Sequence, residues 1–233
     1  SEVSEKRLEA IKGFTELGSG FKIAMRDLSI RGAGNLLGKS QSGFIDSVGF
    51  ELYSQLLEEA IAKRNGNGNT RTKGNAELIL QIDAYLPDTY ISDQRHKIEI
   101  YKKIRQIDSR VNYEELQEEL MDRFGEYPDV VAYLLEIGLV KSYFDKVFVE
   151  RVERKENKIT VQFEKVTQRL FLAQDYFKAL SATNLKAAIA ENKGLMEVVF
   201  DVRNKKDYEI LEGLLIFGES LLEIKESQEA NSI

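Results

Sequence analysis

Cysteine and tryptophan are absent from the 233-residue chain, which also has only one histidine and two prolines. The lack of cysteine excludes disulfide bonds, thiol nucleophiles and cysteine-ligated zinc, and it fits a reducing cytoplasm. With His96 as the single histidine, neither a His/Cys metal cluster nor a histidine-based triad is supported, and we expect His96 on a helix surface. No apolar run approaches the roughly 18 residues that span a bilayer, and the charged first residues lack the apolar block of a signal peptide. The sequence therefore predicts a cytoplasmic protein without membrane contact.

Acidic and basic residues are unevenly distributed along the chain. Residues 1–75 contain 11 Lys/Arg and 9 Asp/Glu, so the other 158 residues hold 22 of the 33 basic and 30 of the 39 acidic side chains. The two parts therefore carry net charges of +2 and −8. Nonspecific DNA binding depends on neutralising phosphates, and an acidic C-terminal part is poorly suited to it. The acidity favours contacts with other proteins.

Residues 65–75 contain no apolar side chain and are rich in glycine and asparagine, which favour turns and mobile coil. They predict a linker between two units, residues 1–64 and 76–233. The first unit is predicted to be a helical hairpin, a glycine-rich loop and a third helix, at residues 5–17, 21–30, 31–43 and 46–64.

The second unit mixes the apolar spacings of strands and helices. Strands are predicted at residues 78–84, 147–152, 159–163 and 195–202. Helices are predicted at residues 92–107, 112–125, 128–144, 168–180 and 208–222, with a capping box from Asn112 to Glu115 and a frayed tail from Ser227. Strands and helices do not alternate regularly, so the predicted fold class is α+β, with a small, mostly antiparallel sheet packed by helices.

Residues 33–40, Ala-Gly-Asn-Leu-Leu-Gly-Lys-Ser, fit a relaxed phosphate-loop pattern with alanine in the place of the first glycine. In such a loop Lys39 would meet the outer phosphates and Ser40 would bind magnesium, between a buried strand and a helix N-terminus. The preceding segment has a helical period instead, and the interrupted strand around Asp83 offers a poor magnesium ligand. A stand-alone nucleotide hydrolase that uses Lys39 and Ser40 is therefore the alternative hypothesis.

Five polar side chains lie in the predicted hairpin and its glycine loop, namely Arg7, Arg26, Arg31, Lys39 and Gln41. An ordinary structural role would account for these residues. In it, the arginines keep the helix faces solvated, and Arg31 lies near a helix C-terminus, where its charge is favourable for the helix dipole. The other interpretation is a coupling element. In it, arginine forks hold the hairpin to a neighbouring motor domain, and the glycine loop moves as that domain closes.

A close resemblance to the bacterial transcription-repair coupling factor family is carried by five segments: Lys6–Ile11, Leu17–Phe21, Asp27–Gly38, Gln41–Gly43 and Val48–Tyr53. The first part of this match is similar, more loosely, to RecG-type branch-migrating helicases. Residues 76–233 resemble the family's C-terminal domain through looser signatures, which are Tyr101–Ile104 and Leu120–Gly125 followed by Pro128.

The resemblance implies that residues 1–64 are the family's translocation-motif segment and that residues 76–233 are its C-terminal regulatory domain. Arg7 and Arg31 match the two hairpin arginines of that motif, and Gln41 matches its loop glutamine. Their implied role is to convert ATP-driven closure into steps along duplex DNA. The chain itself would then hold neither a catalytic site nor a cofactor, because the family binds ATP and magnesium upstream.

The resemblance also implies partners, each reached through the parent protein: duplex DNA, RNA polymerase and the excision-repair protein UvrA. The parent would displace stalled RNA polymerase and recruit UvrA. Its C-terminal domain would make an intramolecular contact with the N-terminal UvrA-binding module and mask it. A stand-alone acidic adaptor is the third hypothesis that the sequence leaves open.

Overall fold

The computed structural model describes residues 71–233, and the helices and glycine loop predicted for residues 1–64 lie outside them. The helices of this part of the chain are α1 (Gln94–Arg105), α2 (Arg110–Phe124), α3 (Asp129–Lys146), α4 (Thr167–Leu170), α5 (Ala173–Ser181) and α6 (Asp207–Ala230). Its strands are β1 (Glu77–Ile79), β2 (Val149–Lys155), β3 (Lys158–Phe163), β4 (Lys186–Asn192) and β5 (Leu195–Asp201). These elements confirm the α+β class.

The described residues divide into two compact units. The first contains residues 81–107 and 114–135, and the second contains residues 71–80, 108–113 and 136–233. The division of the whole chain at residues 65–75 stays a prediction.

Tyrosine hydroxyls hold the helices of the first unit together. The hydroxyl of the buried Tyr101 in α1 accepts a hydrogen bond from the Leu86 N–H at 3.0 Å. The Tyr90 hydroxyl lies 3.2 Å from the carbonyl oxygen of Leu120 and 2.9 Å from that of Gly125, both at the end of α2. These hydrogen bonds fix the segment before α1 against both helices.

The strand predicted at residues 78–84 is wrong in its extent, since β1 ends at Ile79. The predicted alternation of burial is present, because Leu78, Leu80, Ile82 and Ala84 are all buried. Gln81 interrupts the strand with a φ of 57°, a left-handed conformation that takes the backbone out of a ladder. The period of the apolar residues predicted burial correctly but could not predict this turn.

The predicted capping box at Asn112 is also wrong, because α2 begins two residues earlier at Arg110. The hydroxyl oxygen of Ser109 lies 3.2 Å from the backbone nitrogen of Asn112 and accepts its hydrogen bond. A serine just before the first helical residue is a favourable cap, and it takes the role assigned to Asn112. The predicted stop at Gly125 is confirmed, with a φ of 83° that favours glycine.

The second unit is built on a five-stranded sheet in the order β1-β2-β3-β5-β4. Only the β1–β2 pair is parallel, and the other three pairs are antiparallel, so the predicted mostly antiparallel sheet is confirmed. The predicted β2–β3 hairpin is present, and it turns at Glu156 with a φ of 54°. One face of the sheet carries fully buried apolar side chains: Leu78, Val152, Ile159, Val161, Phe163, Val198 and Phe200.

Helix α6 contributes the centre of the core under that face. The ring of Phe217 packs edge-on against Phe144 of α3, Phe163 of β3 and Phe200 of β5, with ring centroids 5.4–6.4 Å apart. Gly218 of α6 permits the close approach of α6 and α3, since a Cβ there would lie 2.9 Å from the Phe144 ring. The two helices therefore meet at a backbone position where only hydrogen fits.

Three further features of the second unit differ from the sequence prediction. The helix predicted at residues 168–180 is divided into α4 and α5 by extended backbone at Phe171 and Leu172, where Asp175 Oδ2 accepts the Leu172 N–H at 2.8 Å. Strand β4 was not predicted, because its side chains show no alternation of burial. Helix α6 continues through the tail predicted to fray, supported by the i,i+4 pair of Lys225 and Glu229 at 3.6 Å.

Candidate protein-binding surface

The residues predicted to couple hydrolysis to movement, Arg7, Arg31 and Gln41, lie outside the described residues. The same is true of Lys39 and Ser40, the residues of the alternative nucleotide site. His96 is exposed on α1, as predicted. Within residues 71–233, no group of three or more His, Cys, Asp or Glu side chains is arranged to hold a metal ion. The described residues therefore bear on the predicted protein-binding role of the C-terminal part.

The second unit presents a sheet face that no buried side chain occupies, which we call the open face. Strand register places three rows of side chains on it: Glu77, Arg151, Gln162, Glu197 and Ala190; Ile79, Glu153, Thr160, Val199 and Ala188; and Lys155, Lys158, Asp201 and Lys186. All of them are half-buried or exposed, whereas the alternate positions of the central strands are buried. A one-sided antiparallel sheet of this kind leaves its polar face to water or to a partner.

Hydrogen bonds link the side chains of the open face across the strands. Arg151 contacts Glu77 at 2.6 Å and Glu153 at 3.1 Å. Glu197 accepts hydrogen bonds from the amides of Gln162 and Asn192, both at 2.9 Å. The open face is thus a polar surface with a fixed hydrogen-bond pattern, and it has the mixed charge of a rigid recognition surface rather than of a phosphate-binding one.

The first unit has a second exposed surface on α2, which we call the acidic face. It contains Glu114, Glu115, Glu118 and Asp122, which recur at helical spacing and are all exposed. Within residues 71–233 none of the four joins an ion pair, whereas Glu119 on the adjoining side of the helix lies 2.6 Å from Lys103 and 2.9 Å from Arg123. The acidic face repels polyanions and is compatible with a basic protein surface.

The signatures that carry the looser resemblance fix α1 against α2. Arg123 holds Glu99 through two hydrogen bonds, at 2.7 and 3.1 Å, and its guanidinium carbon lies 4.9 Å from the centre of the Phe124 ring. The hydrogen bond from Arg123 holds the pKa of Glu99 below its usual value. Lys103 bonds Glu119 of the neighbouring helix. These signature residues therefore act on structure: the Arg123–Glu99 and Lys103–Glu119 pairs join the two helices, and the cation–π contact orients Arg123 within α2.

A buried charged cluster, the anchor, fastens the start of the second unit to α3. Lys141 and Asp145 are each 4% exposed and lie 2.8 Å apart, and the Lys141 ammonium also donates to Asn75 Oδ1 at 2.6 Å. Asp145 accepts the Ala76 N–H on its carboxylate and the Gly74 N–H on its carbonyl oxygen, both at 2.7 Å. The anchor thus binds residues 74–76, which lie just before β1.

Glu136 is a half-buried residue of α3 whose Oε2 atom is buried and has no hydrogen-bond partner within the described residues. Burial, together with the neighbouring charge of Glu212 on α6, raises its pKa from 4.5 to about 7. A signal for it exists in the sequence, because Glu136 is the only charged residue between Val130 and Val140. The anchor has no such signal, since Lys141 and Asp145 look like a solvated helix pair.

We expect Glu136→Gln to stabilise the chain at about pH 8 by on the order of 1–2 kcal/mol, and much less at about pH 5. The raised pKa means that the folded state binds more protons than the unfolded state between pH 4.5 and about 7. The free energy of unfolding of the wild type therefore falls as pH rises through that window. The glutamine of Glu136→Gln does not titrate, so the variant does not lose this stability. Urea unfolding at both pH values measures the effect.

The matched control for this pH effect is Glu115→Gln on the exposed acidic face. It should change the free energy of unfolding by no more than about 0.5 kcal/mol at either pH. If Glu136→Gln shifts stability equally at the two pH values, the Glu136 carboxyl does not titrate as stated.

The sequence matches known proteins over most of its length. Residues 80–174 match the model of the TRCF domain. The chain is 52% identical over 159 residues to the transcription-repair-coupling factor of Bacillus subtilis. This alignment covers 68% of this chain and 14% of that protein. It is 45% identical over 196 residues to the transcription-repair-coupling factor of Staphylococcus haemolyticus. This alignment covers 83% of this chain and 17% of that protein. The chain therefore spans less than a fifth of the length of these curated relatives.

A solved structure is also similar, namely the crystal structure of the C-terminal domain of a transcription-repair coupling factor. The two share 94% identity with a TM-score of 0.67, over 67% of this chain and 98% of that one. None of the helices in residues 71–233 has both the length and the apolar character needed to cross a membrane.

The described part has an α+β fold, in which the second unit has an open sheet face and the first unit has an acidic helix face. The sequence and structural matches identify the family as well. The chain belongs to the transcription-repair-coupling factor family, which is a family of DNA repair.

Proposed function

We propose that the chain is the C-terminal part of an ATP-dependent DNA translocase that displaces stalled RNA polymerase and recruits nucleotide-excision repair in the cytoplasm. The supporting observation is the likeness to the solved C-terminal domain, at 94% identity over 98% of that domain. The chain's own contribution would be coupling and regulation, while ATP and magnesium bind upstream in the parent.

In this proposal residues 1–64 couple ATP hydrolysis to movement on duplex DNA, with Arg7, Arg31 and Gln41 as the coupling residues. Residues 76–233 form the regulatory domain. It folds back on the N-terminal UvrA-binding module of the parent and masks it. Two described features support a protein contact of this type, namely the acidic face without ion pairs and the rigid open face.

Removal of residues 76–233 from the full-length parent should increase its affinity for UvrA by about tenfold. A module that is open only one-tenth of the time binds about tenfold more weakly than a permanently open one. Calorimetric titration of UvrA with the full-length and truncated proteins measures the difference.

A shorter truncation that removes only Asn231–Ile233, the residues after α6, is the control and should bind UvrA like the full-length protein. Equal affinity of the parent and the protein lacking residues 76–233 would remove the masking role. It would leave the coupling role of residues 1–64 untouched, because that role has its own experiment.

A further inference from the structure

Strand β4 ends the sheet of the second unit and pairs with β5 along all seven of its residues. In an antiparallel ladder a strand directs about half of its N–H and C=O groups to each side. The groups of β4 that point away from β5 meet no other strand within residues 71–233. This row of backbone donors and acceptors is complementary to another extended strand.

The edge of β4 lacks the features that usually prevent strands from pairing between molecules. Proteins protect such edges with proline, bulges, short strands or a charge near the strand centre. The register of β4 is regular, and its centre is Ala187-Ala188-Ile189-Ala190, in which all three alanines are exposed. The opposite edge of the sheet is different, since β1 has three residues and buries Leu78 completely.

The sequence of β4 is compatible with pairing to itself around a two-fold axis. Facing residues in an antiparallel pair lie on the same side of the sheet, so a symmetric pair can centre on Ile189 facing the partner's Ile189. Ala188 then faces the partner's Ala190, Ala187 faces the partner's Glu191, and Lys186 faces the partner's Asn192. No like charges oppose each other, and the central pair is β-branched.

The other simple arrangement is disfavoured by charge. A parallel, in-register pair would place Lys186 against the partner's Lys186 and Glu191 against the partner's Glu191, and like charges that face each other destabilise a strand pair. The charges of β4 therefore select the antiparallel, two-fold arrangement.

We propose that β4 is a self-association surface, through which two copies of this chain pair β4 antiparallel to β4 and join their sheets into one. The occupant of the open edge is a second copy, because the strand is charge-compatible with itself in a symmetric register. Each copy carries a net charge of −6, so salt, which screens this repulsion, should strengthen the association.

Sedimentation velocity of the 233-residue chain, from micromolar to near-millimolar concentration, tests the proposal. We expect a concentration-dependent monomer–dimer equilibrium that shifts toward dimer as salt increases. Hydrogen exchange should show slower exchange for amides of β4 in the dimer and unchanged exchange in α6. A chain that stays monomeric throughout overturns the proposal and leaves the edge to an extended segment of another protein.

Two double variants, each substituted at positions 188 and 190, test the register of the proposed β4–β4 pair. Ala188→Lys with Ala190→Lys places a lysine against a lysine twice across the two-fold axis, and it should weaken dimerisation at least tenfold. Ala188→Lys with Ala190→Glu places a lysine against a glutamate twice, and it should dimerise as well as the wild type or better. Both positions are exposed, and circular dichroism checks that each variant is folded. Equal weakening in the two variants overturns the two-fold pairing.

Discussion

Replacing Gln41 by alanine in the full-length parent should leave DNA-stimulated ATP hydrolysis within about twofold of wild type and reduce translocation at least tenfold. A tenfold loss corresponds to about 1.4 kcal/mol of coupling free energy. A glutamine amide both donates and accepts hydrogen bonds, so it can join a closing motor domain to a moving loop, whereas alanine can do neither. Both activities should be measured on the same preparation, hydrolysis by phosphate release and translocation by displacement of a bound third strand.

The neighbouring substitution Ser40→Ala is the matched control, since it lies in the same glycine-rich segment. The coupling hypothesis predicts that it changes neither activity, whereas the nucleotide-site hypothesis predicts a loss of hydrolysis with the magnesium-binding hydroxyl. If Gln41→Ala leaves both activities normal, the coupling role would have to rest on Arg7 and Arg31 or be abandoned. If hydrolysis and translocation fall together, Gln41 serves the motor itself rather than its coupling.

Apolar spacing predicted the elements that bury one face, for a simple physical reason. Strand β3 and helix α1 face the core on one side, so burial imposes the period of the element on the sequence. Strand β4 imposes no such period, because it is an edge with small exposed side chains and its structure depends on its pairing with β5. Its location could not be predicted from its own residues.

Backbone conformations and buried charges were the second kind of information missing from the sequence. Gln81 adopts a φ of 57° that glutamine does not favour, so the end of β1 is set by tertiary contacts rather than by local preference. The spacing of Lys141 and Asp145 predicts an i,i+4 pair but not its burial, because Asn75, which completes it, lies 66 residues away. The open face has the same limit, because its side chains come from five strands that only the pairing of the sheet brings together.

The anchor should be the site where a single conservative substitution destabilises the described part most. We expect Asp145→Asn to reduce the free energy of unfolding by about 3 kcal/mol or more, because it removes the carboxylate charge that lies 2.8 Å from the buried Lys141 ammonium. The substitution also weakens the acceptor for the Ala76 N–H, which is bound at 2.7 Å. Thermal and urea unfolding of the 233-residue chain measure the loss.

The control is Glu229→Gln in the pair Lys225–Glu229, which has the same i,i+4 spacing but a glutamate that is 63% exposed. It should cost no more than about 0.5 kcal/mol, as exposed helix pairs do. The double variant Lys141→Met with Asp145→Leu removes both charges and should lose less than the sum of the single losses, with a coupling of about 1–3 kcal/mol. Additive losses would show that the two charges do not stabilise each other.

The anchor fastens residues 74–76 to α3, at the end of the predicted linker of residues 65–75. Breaking it should release this connection before the rest of the second unit unfolds, since the ring contacts of Phe217 in the core involve none of the charged side chains of the cluster. Hydrogen exchange of Asp145→Asn should therefore show faster exchange at Gly74 and Ala76 than in β3 and β5. Uniformly faster exchange across the unit would mean that the cluster supports the whole core rather than the connection alone.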